Sequence, residues 1–138
     1  MSLGYVSEKE CKYHPKLGMH IPRVIYGVLE GRNPPPFVLY SFLMNDGEFP
    51  YVALFDEFGK KSEEFPLTEE PTTISIRSPK RIVLPAHFKS GLNLDDRVTV
   101  IGNCGAFELW NPADWSGYCK LHEKEFKRIM GEIFKEAI

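Results

Sequence analysis

The residues with most chemistry to offer stand in "SPKRIVLP", residues 78–85, where Lys80 and Arg81 lead from a serine and a proline into an apolar run. With Arg77 just before them and Lys89 beyond, they form a local cation cluster. Arginine can grip two phosphate oxygens through its planar fork, lysine adds a point charge, and each neutralised phosphate releases counterions, so the grouping suits an anionic polymer. The plain alternative is a strand edge that carries Lys and Arg to discourage aggregation. A second constellation is Cys11-x-x-His14 with Cys119-x-x-His122. Brought together, these pairs would supply the four ligands of a tetrahedral zinc site; apart, they are ordinary residues, and i, i+3 spacing on a helix serves many purposes besides metal.

Catalysis finds no comparable support. G-x-S-x-G, H-E-x-x-H, P-loop and G-x-G-x-x-G patterns are all missing from the sequence. "GNCGAF" reads as a hairpin turn because β-rich runs flank it on both sides, and a nucleophile at Cys104 would need a base and an activated thiolate. Neither an enzyme nor a cofactor is expected.

The elements that must position these residues come in two similar sets. In the second half "TTISIR" alternates as a half-buried strand, "RIVLP" is a short apolar run, and "AHFKSGL" is a turn or two of helix closed at Gly91, where a left-handed cap is expected. "RVTVIGNCGAFELW" is a hairpin, and "NPAD" starts a helix with Asn111 as N-cap and Pro112 as its first residue. The first half repeats the order: "HIPRVIYGVLEG" gives a strand, a proline and a short helix, "FVLYSF" and "YVALF" flank a wide hairpin turn, and Asp56 stands where Asn111 stood. Pro22 to Asp56 spans 34 residues and Pro85 to Asn111 spans 26, the extra length lying around Pro34-Pro35-Pro36 and in the hairpin turn. This predicts two related units, residues 1–70 and 71–118, joined through the acidic "EEFPLTEEP", with a C-terminal amphipathic helix over 119–138. Phe126, Ile129, Met130, Ile133, Phe134 and Ala137 give that helix an apolar stripe. Docking on its own core is the ordinary reading, a protomer contact the sharper one, and a membrane surface fits least because the polar face is mixed in sign.

A chain of 138 residues suffices for one compact domain, and 43% hydrophobic with 26% charged residues is ordinary for a soluble protein. No apolar run reaches membrane-helix length, and the N-terminus lacks the apolar core of a signal peptide, so a cytoplasmic protein is expected. Three cysteines, an odd number, fit a reducing compartment better than a disulfide framework. A net charge of −2 excludes a uniformly basic nucleic-acid binder. Residues 1–70 carry 7 Lys+Arg against 11 Asp+Glu and residues 71–138 carry 10 against 8, so an anionic partner belongs to the second half.

Residues 81–115, "RIVLPAHFKSGLNLDDRVTVIGNCGAFELWNPADW", resemble the second repeat of the MraZ family, bacterial proteins built from two copies of an AbrB-like, swapped-hairpin unit. The match runs through the arginine opening the strand, the strand-ending proline, the short helix, Ser90-Gly91-Leu92, "VTVIG" and the aromatic-Glu-Leu-Trp before the capped helix. The first half matches in outline, through "KLGMHIP" and the hairpin that follows. The resemblance implies an α+β fold with a small pseudo-symmetric β-barrel of two repeats, ring-like homo-oligomers, and a nucleoid-associated transcriptional regulator binding promoter DNA of the cell-division and cell-wall gene cluster. It places DNA at an acid-x-x-x-arginine segment leading into each proline-ended strand. Arg81 holds the arginine position of the second half, Arg77 stands at the acidic one, and Lys80 replaces the usual glycine. In the first half Gly18 stands for the arginine, Pro15 lies near the expected acid, and Lys16 alone keeps a positive charge. The expected contacts are therefore Arg77, Lys80 and Arg81, with Lys16 a lesser one. The alternative is an oligomeric scaffold that keeps the fold without reading DNA.

Overall fold

A computed structural model describes residues 7–33, 38–57, 70–76, 80–102 and 106–136. They form an α+β fold of eight strands and three helices: β1 (Ser7–Lys12), β2 (Met19–His20), α1 (Arg23–Arg32), β3 (Val38–Asp46), β4 (Phe49–Phe55), β5 (Thr72–Ser75), β6 (Arg81–Ile82), α2 (Ala86–Gly91), β7 (Arg97–Gly102), β8 (Ala106–Trp110) and α3 (Pro112–Glu136). The 103–105 turn, the Pro34-Pro35-Pro36 connection and most of the acidic linker lie outside the described residues.

Six strands make one antiparallel sheet in the order β1-β7-β8-β4-β3-β5, while β2 and β6 pair only with each other. The order is palindromic in the two halves. Hairpin β3–β4 meets hairpin β7–β8 at the centre, and the outer edge of each is taken by the leading strand of the other half, β1 on β7 and β5 on β3. The internal repeat is thus a pseudo-two-fold relation, with its leading strands exchanged.

The expected barrel is not formed. Closure needs bonds between β1 and β5, yet among the described residues each has one strand neighbour, and the two-residue strands β2 and β6 are bonded to one another. The pairings exchange leading strands; a swapped-hairpin topology does not follow from them. The first hairpin turn is also tighter than expected. Strand pairing runs on to Asp46↔Phe49, leaving Gly47-Glu48 as a two-residue loop, which Gly47 enters with φ +64. At the end of α2 the left-handed residue is Asn93, φ +52, rather than Gly91, because the chain turns two residues later than the glycine suggests.

The sheet separates two apolar groups. On one face Leu39, Val52, Leu54, Val98, Val100 and Leu109 pack with Leu29 of α1 and Phe88 of α2. On the other, Ile101 and Trp110 pack with Trp115 and Tyr118 of α3, Tyr51 stacking on Trp110 at 4.8 Å between ring centroids. Alternation along each strand divides its side chains between these groups. The α3 start follows the reading of "NPAD", with Asn111 Oδ1 accepting from Ala113 N at 2.9 Å. That start and the tail as far as Glu136 belong to one continuous helix of 25 residues; Ala137 and the side chains of the apolar stripe lie outside what is described.

Each half is also locked at equivalent places. Asn111 Nδ2 donates to the carbonyls of Leu92 and Asn93 at 3.2 and 2.9 Å, fixing the end of α2 to the start of α3. In the first half Asp56, fully buried, accepts from Arg32 Nε, from Arg32 Nη2 at 3.0 Å and from Asn33 Nδ2 at 2.7 Å, fixing the end of α1 to the end of β4.

Removing a buried carboxylate from a cation leaves the partner's charge poorly solvated, so Asp56→Ala should lower stability by about 3 kcal/mol, read as a fall in urea midpoint at unchanged slope. Burial, with Glu108 and Asp46 nearby, pushes the Tyr51 phenol up to about 12 from an ordinary value near 10. Below pH 10 it is neutral in both states; from about pH 10 to 12 the unfolded chain releases the proton and the folded chain does not, so stability falls as pH rises. Tyr51→Phe should remove part of that alkaline loss in denaturation curves taken across the window.

Candidate nucleic-acid interface

Strands β2 and β6 bring the two halves face to face on the pseudo-two-fold axis. Met19 pairs with Ile82 and His20 with Arg81, and Ile21 N donates to Lys80 O at 3.0 Å. Side chains of a strand alternate, so the buried Met19 and Ile82 point into the core and the next pair, His20 and Arg81, points away from it. His20 and Lys80 are exposed and Arg81 is half-buried.

Lys80 is held in an unusual way. Its backbone has φ +63, a left-handed conformation that costs an ordinary residue about 1–2 kcal/mol and a glycine almost nothing. Its ammonium lies 4.6 Å from the centroid of the Tyr26 ring on α1. The glycine that the family resemblance implies at this position therefore has a conformational reason, and this chain keeps a lysine there against that preference. Arg77, the third expected contact of this segment, lies outside the described residues.

The equivalent segment of the first half cannot carry a second copy of the site. Gly18 has φ +69, and a Cβ placed there would come 1.9 Å from the Ile82 carbonyl oxygen and 2.9 Å from Val83 Cα. The arginine is missing because β6 occupies its space. Four residues before Gly18, next to Pro15, stands His14. There Nδ1 of His14 accepts from the backbone N–H groups of Lys16 and Leu17, both at 3.1 Å, as a short acidic side chain does in an Asx turn. Lys16 is exposed on this turn, beyond the other end of the β2–β6 ribbon from Lys80. The His14↔Gly18 bridge and the Met19–Ile82 pair lie between this turn and the His20–Arg81 pair, so Lys16 does not adjoin Lys80 and Arg81.

Two basic residues that sequence reading overlooked do join it. His20 faces Arg81 across the ribbon, and Arg23, exposed at the start of α1, lines the same cleft as Lys80. Their signal was available only through the pairing of β2 with β6, since nothing in "MHIPRV" announces a partner 60 residues away.

The zinc candidates are not brought together. Cys11 packs toward the face of the sheet covered by α1 and α2, while Cys119 and His122 lie on α3 across the opposite face. His14 spends Nδ1 on its own turn, and among the described residues no group of three or more His, Cys, Asp and Glu side chains is arranged to hold a metal. Burial raises the thiol pKa of both Cys11 and Cys119, away from the thiolate that binds metal. A groove of about 820 Å³ between α3 and β1 holds Cys119 and His122, but Glu8, Glu10 and Glu123 outnumber Lys120 in its lining, and that charge opposes a polyanion. No helix among the described residues is long and apolar enough to cross a membrane.

Residues 70–135 match the family model described as "MraZ protein, putative antitoxin-like". No curated protein matches the chain. The family match covers β5, the basic ribbon strand β6, α2, hairpin β7–β8 and nearly all of α3, and it is consistent with a member of the MraZ family, a regulatory and non-enzymatic family.

If the β2–β6 contact excludes a side chain at residue 18, Gly18→Arg should not create a second basic site. It and Gly18→Ala should each cost at least about 2 kcal/mol in thermal or urea denaturation, from left-handed strain and a backbone clash together. A stable Gly18→Arg variant with increased affinity for DNA would contradict the crowding argument.

Proposed function

We propose that this MraZ-family chain is a DNA-binding transcriptional regulator, cytoplasmic and nucleoid-associated, that meets promoter DNA of the cell-division and cell-wall gene cluster through the basic end of its β2–β6 ribbon. The observation that carries this reading is Lys80: a solvent-facing lysine retained at φ +63, beside the outward pair Arg81 and His20. Strain kept at an exposed position has a natural explanation in function, since stability alone favours glycine there. A two-stranded ribbon also fits the major groove of B-DNA in width. Arg81 and Lys80 serve as phosphate contacts, with Arg77 adjoining them in sequence and Lys16 as a separate, weaker contact. Contacts of this kind set position and affinity, while base reading needs further groups.

A second observation favours assembly. From Cys119 onward every α3 residue with a described side chain is exposed except His122, and Leu121 is 64% exposed. A helix of 25 residues is about 37 Å long, and among the described side chains Trp115 and Tyr118, near its start, are the ones that join the core. Contact with further copies in a ring would multiply one basic site per chain and raise avidity without any new contact to DNA. A ring that scatters light as an oligomer yet binds no promoter fragment would instead support the scaffold reading.

Fluorescence anisotropy with promoter DNA at low salt tests the regulator. Lys80→Ala/Arg81→Ala should weaken binding and lower the salt slope by about one unit per lost contact. Lys80→Gly should separate the two roles of the residue, losing affinity while gaining up to about 1 kcal/mol of stability. Unchanged affinity in all these variants sinks the reading.

A further inference from the structure

Where α1 begins against β6 there is a cleft of about 230 Å³, lined chiefly by His20, Arg23, Tyr26, Gly27, Glu30 and Lys80. It is below the roughly 300–1,000 Å³ typical of sites for drug-sized ligands, so it suits a single small group rather than a whole nucleotide. Its charged lining is unequal. Arg23 comes from the first half and Lys80 from the second, His20 adds an imidazole, and Glu30 is the one carboxylate in that lining.

The backbone adds donors of its own. Helix α1 starts after Pro22 with no side-chain cap and no acidic residue in its first turn, so the N–H groups of that turn face the helix start without a side-chain acceptor. Those groups and the helix dipole favour negative charge. Lys80 is held against the side of α1, its Nζ 4.6 Å from the centroid of the Tyr26 ring, which lines the same cleft. Two cations from different halves lining one cleft, with a volume for one small group, describe a seat for a tetrahedral oxyanion.

We infer that this cleft seats one backbone phosphate of DNA, with Arg23 and Lys80 as its charged contacts and Tyr26 as the residue that positions Lys80. The inference rests on the regulator reading for the source of the phosphate, and it assigns contacts in the first half, which the acid-x-x-x-arginine segments do not include. Glu30 opposes the bound charge and keeps the seat weak for free phosphate. Removing charge from the two exposed residues Arg23 and Glu30 therefore has opposite effects.

The test uses the full chain in two arms. In DNA titrations, Arg23→Gln should lower affinity about 3- to 10-fold and reduce the salt slope by about 0.9, as one lost phosphate contact does. Glu30→Gln should raise affinity, and Tyr26→Leu should lower it while leaving the slope unchanged, because the Lys80 charge remains but is no longer positioned. In the second arm, inorganic phosphate titrated into labelled protein should shift the NMR signals of the His20 ring and the Arg23 amide, and Arg23→Gln should abolish the His20 shift. DNA binding that is retained with unchanged affinity and slope in Arg23→Gln overturns the inference while leaving the regulator intact. Phosphate shifts without any DNA binding overturn DNA as the source and with it the regulator, leaving an oxyanion seat. Affinity that falls equally in Arg23→Gln and Glu30→Gln would point to a structural effect and also overturn it.

Discussion

The basic end of the β2–β6 ribbon depends on how closely the chain's two halves approach there. The Met19–Ile82 pair lies on the pseudo-two-fold axis, and both side chains are buried, which removes two large apolar groups from water at once. That burial fixes the parity of the neighbours, so His20 and Arg81 must face outward. It also brings the Ile82 carbonyl so near Gly18 that the first half has no room for a side chain there. One contact therefore creates a basic site and forbids its twin.

The asymmetry extends to the locks that hold each half. Asn111 secures the second half with neutral amide bonds to the carbonyls of Leu92 and Asn93, whereas Asp56 secures the first with a buried carboxylate shared by Arg32 and Asn33. The same architectural task is met by different chemistry. Arg32 is committed to that carboxylate, and among the described cations of the first half Arg23 stands beside the basic end of the ribbon, while Lys9, Lys12 and Lys16 are exposed elsewhere. A regulator assembled from such chains would meet a polyanion through single points repeated by assembly, with the acidic α3–β1 groove kept apart from the basic ribbon.

Much of this was legible in the sequence because it is written locally. Pro22 and Pro85, the hairpin runs and the Asn111-Pro112 helix start each carry their own backbone chemistry, and the order in which they recur points to two related halves. The family resemblance singled out Arg81 and Gly18, and the structure sets their two segments side by side through the β2–β6 pairing. What could not be read was set by pairing across the chain. The stretch "SEKECK" has no apolar alternation, and it is a strand because β7 offers it six residues of edge. Barrel closure failed for the same kind of reason, since β2 and β6 satisfy one another. His20 comes beside Arg81, and Arg23 beside Lys80, only through pairing with a segment far away in sequence, and the conformation at Lys80 has no signature in its residue type.

The exchange of leading strands has a consequence for the order in which the molecule can be made. Ser7 pairs with Gly102, and Val38 with Ser75, so the edge of each hairpin is completed by residues belonging to the other half. A chain emerging from the ribosome has its first strand long before that strand's partner, and the loop to be closed spans most of the molecule. Closing so long a loop adds little to the equilibrium cost, which grows only with the logarithm of length, but non-local pairing slows the search for it. The first half consequently waits, with an unmatched strand and an uncovered hairpin edge, until nearly the whole chain is available. Its polar β1, alternating Glu and Lys from Glu8 to Lys12 except at Cys11, is well suited to that interval, because a strand with so little apolar surface is a poor template for joining the wrong partner.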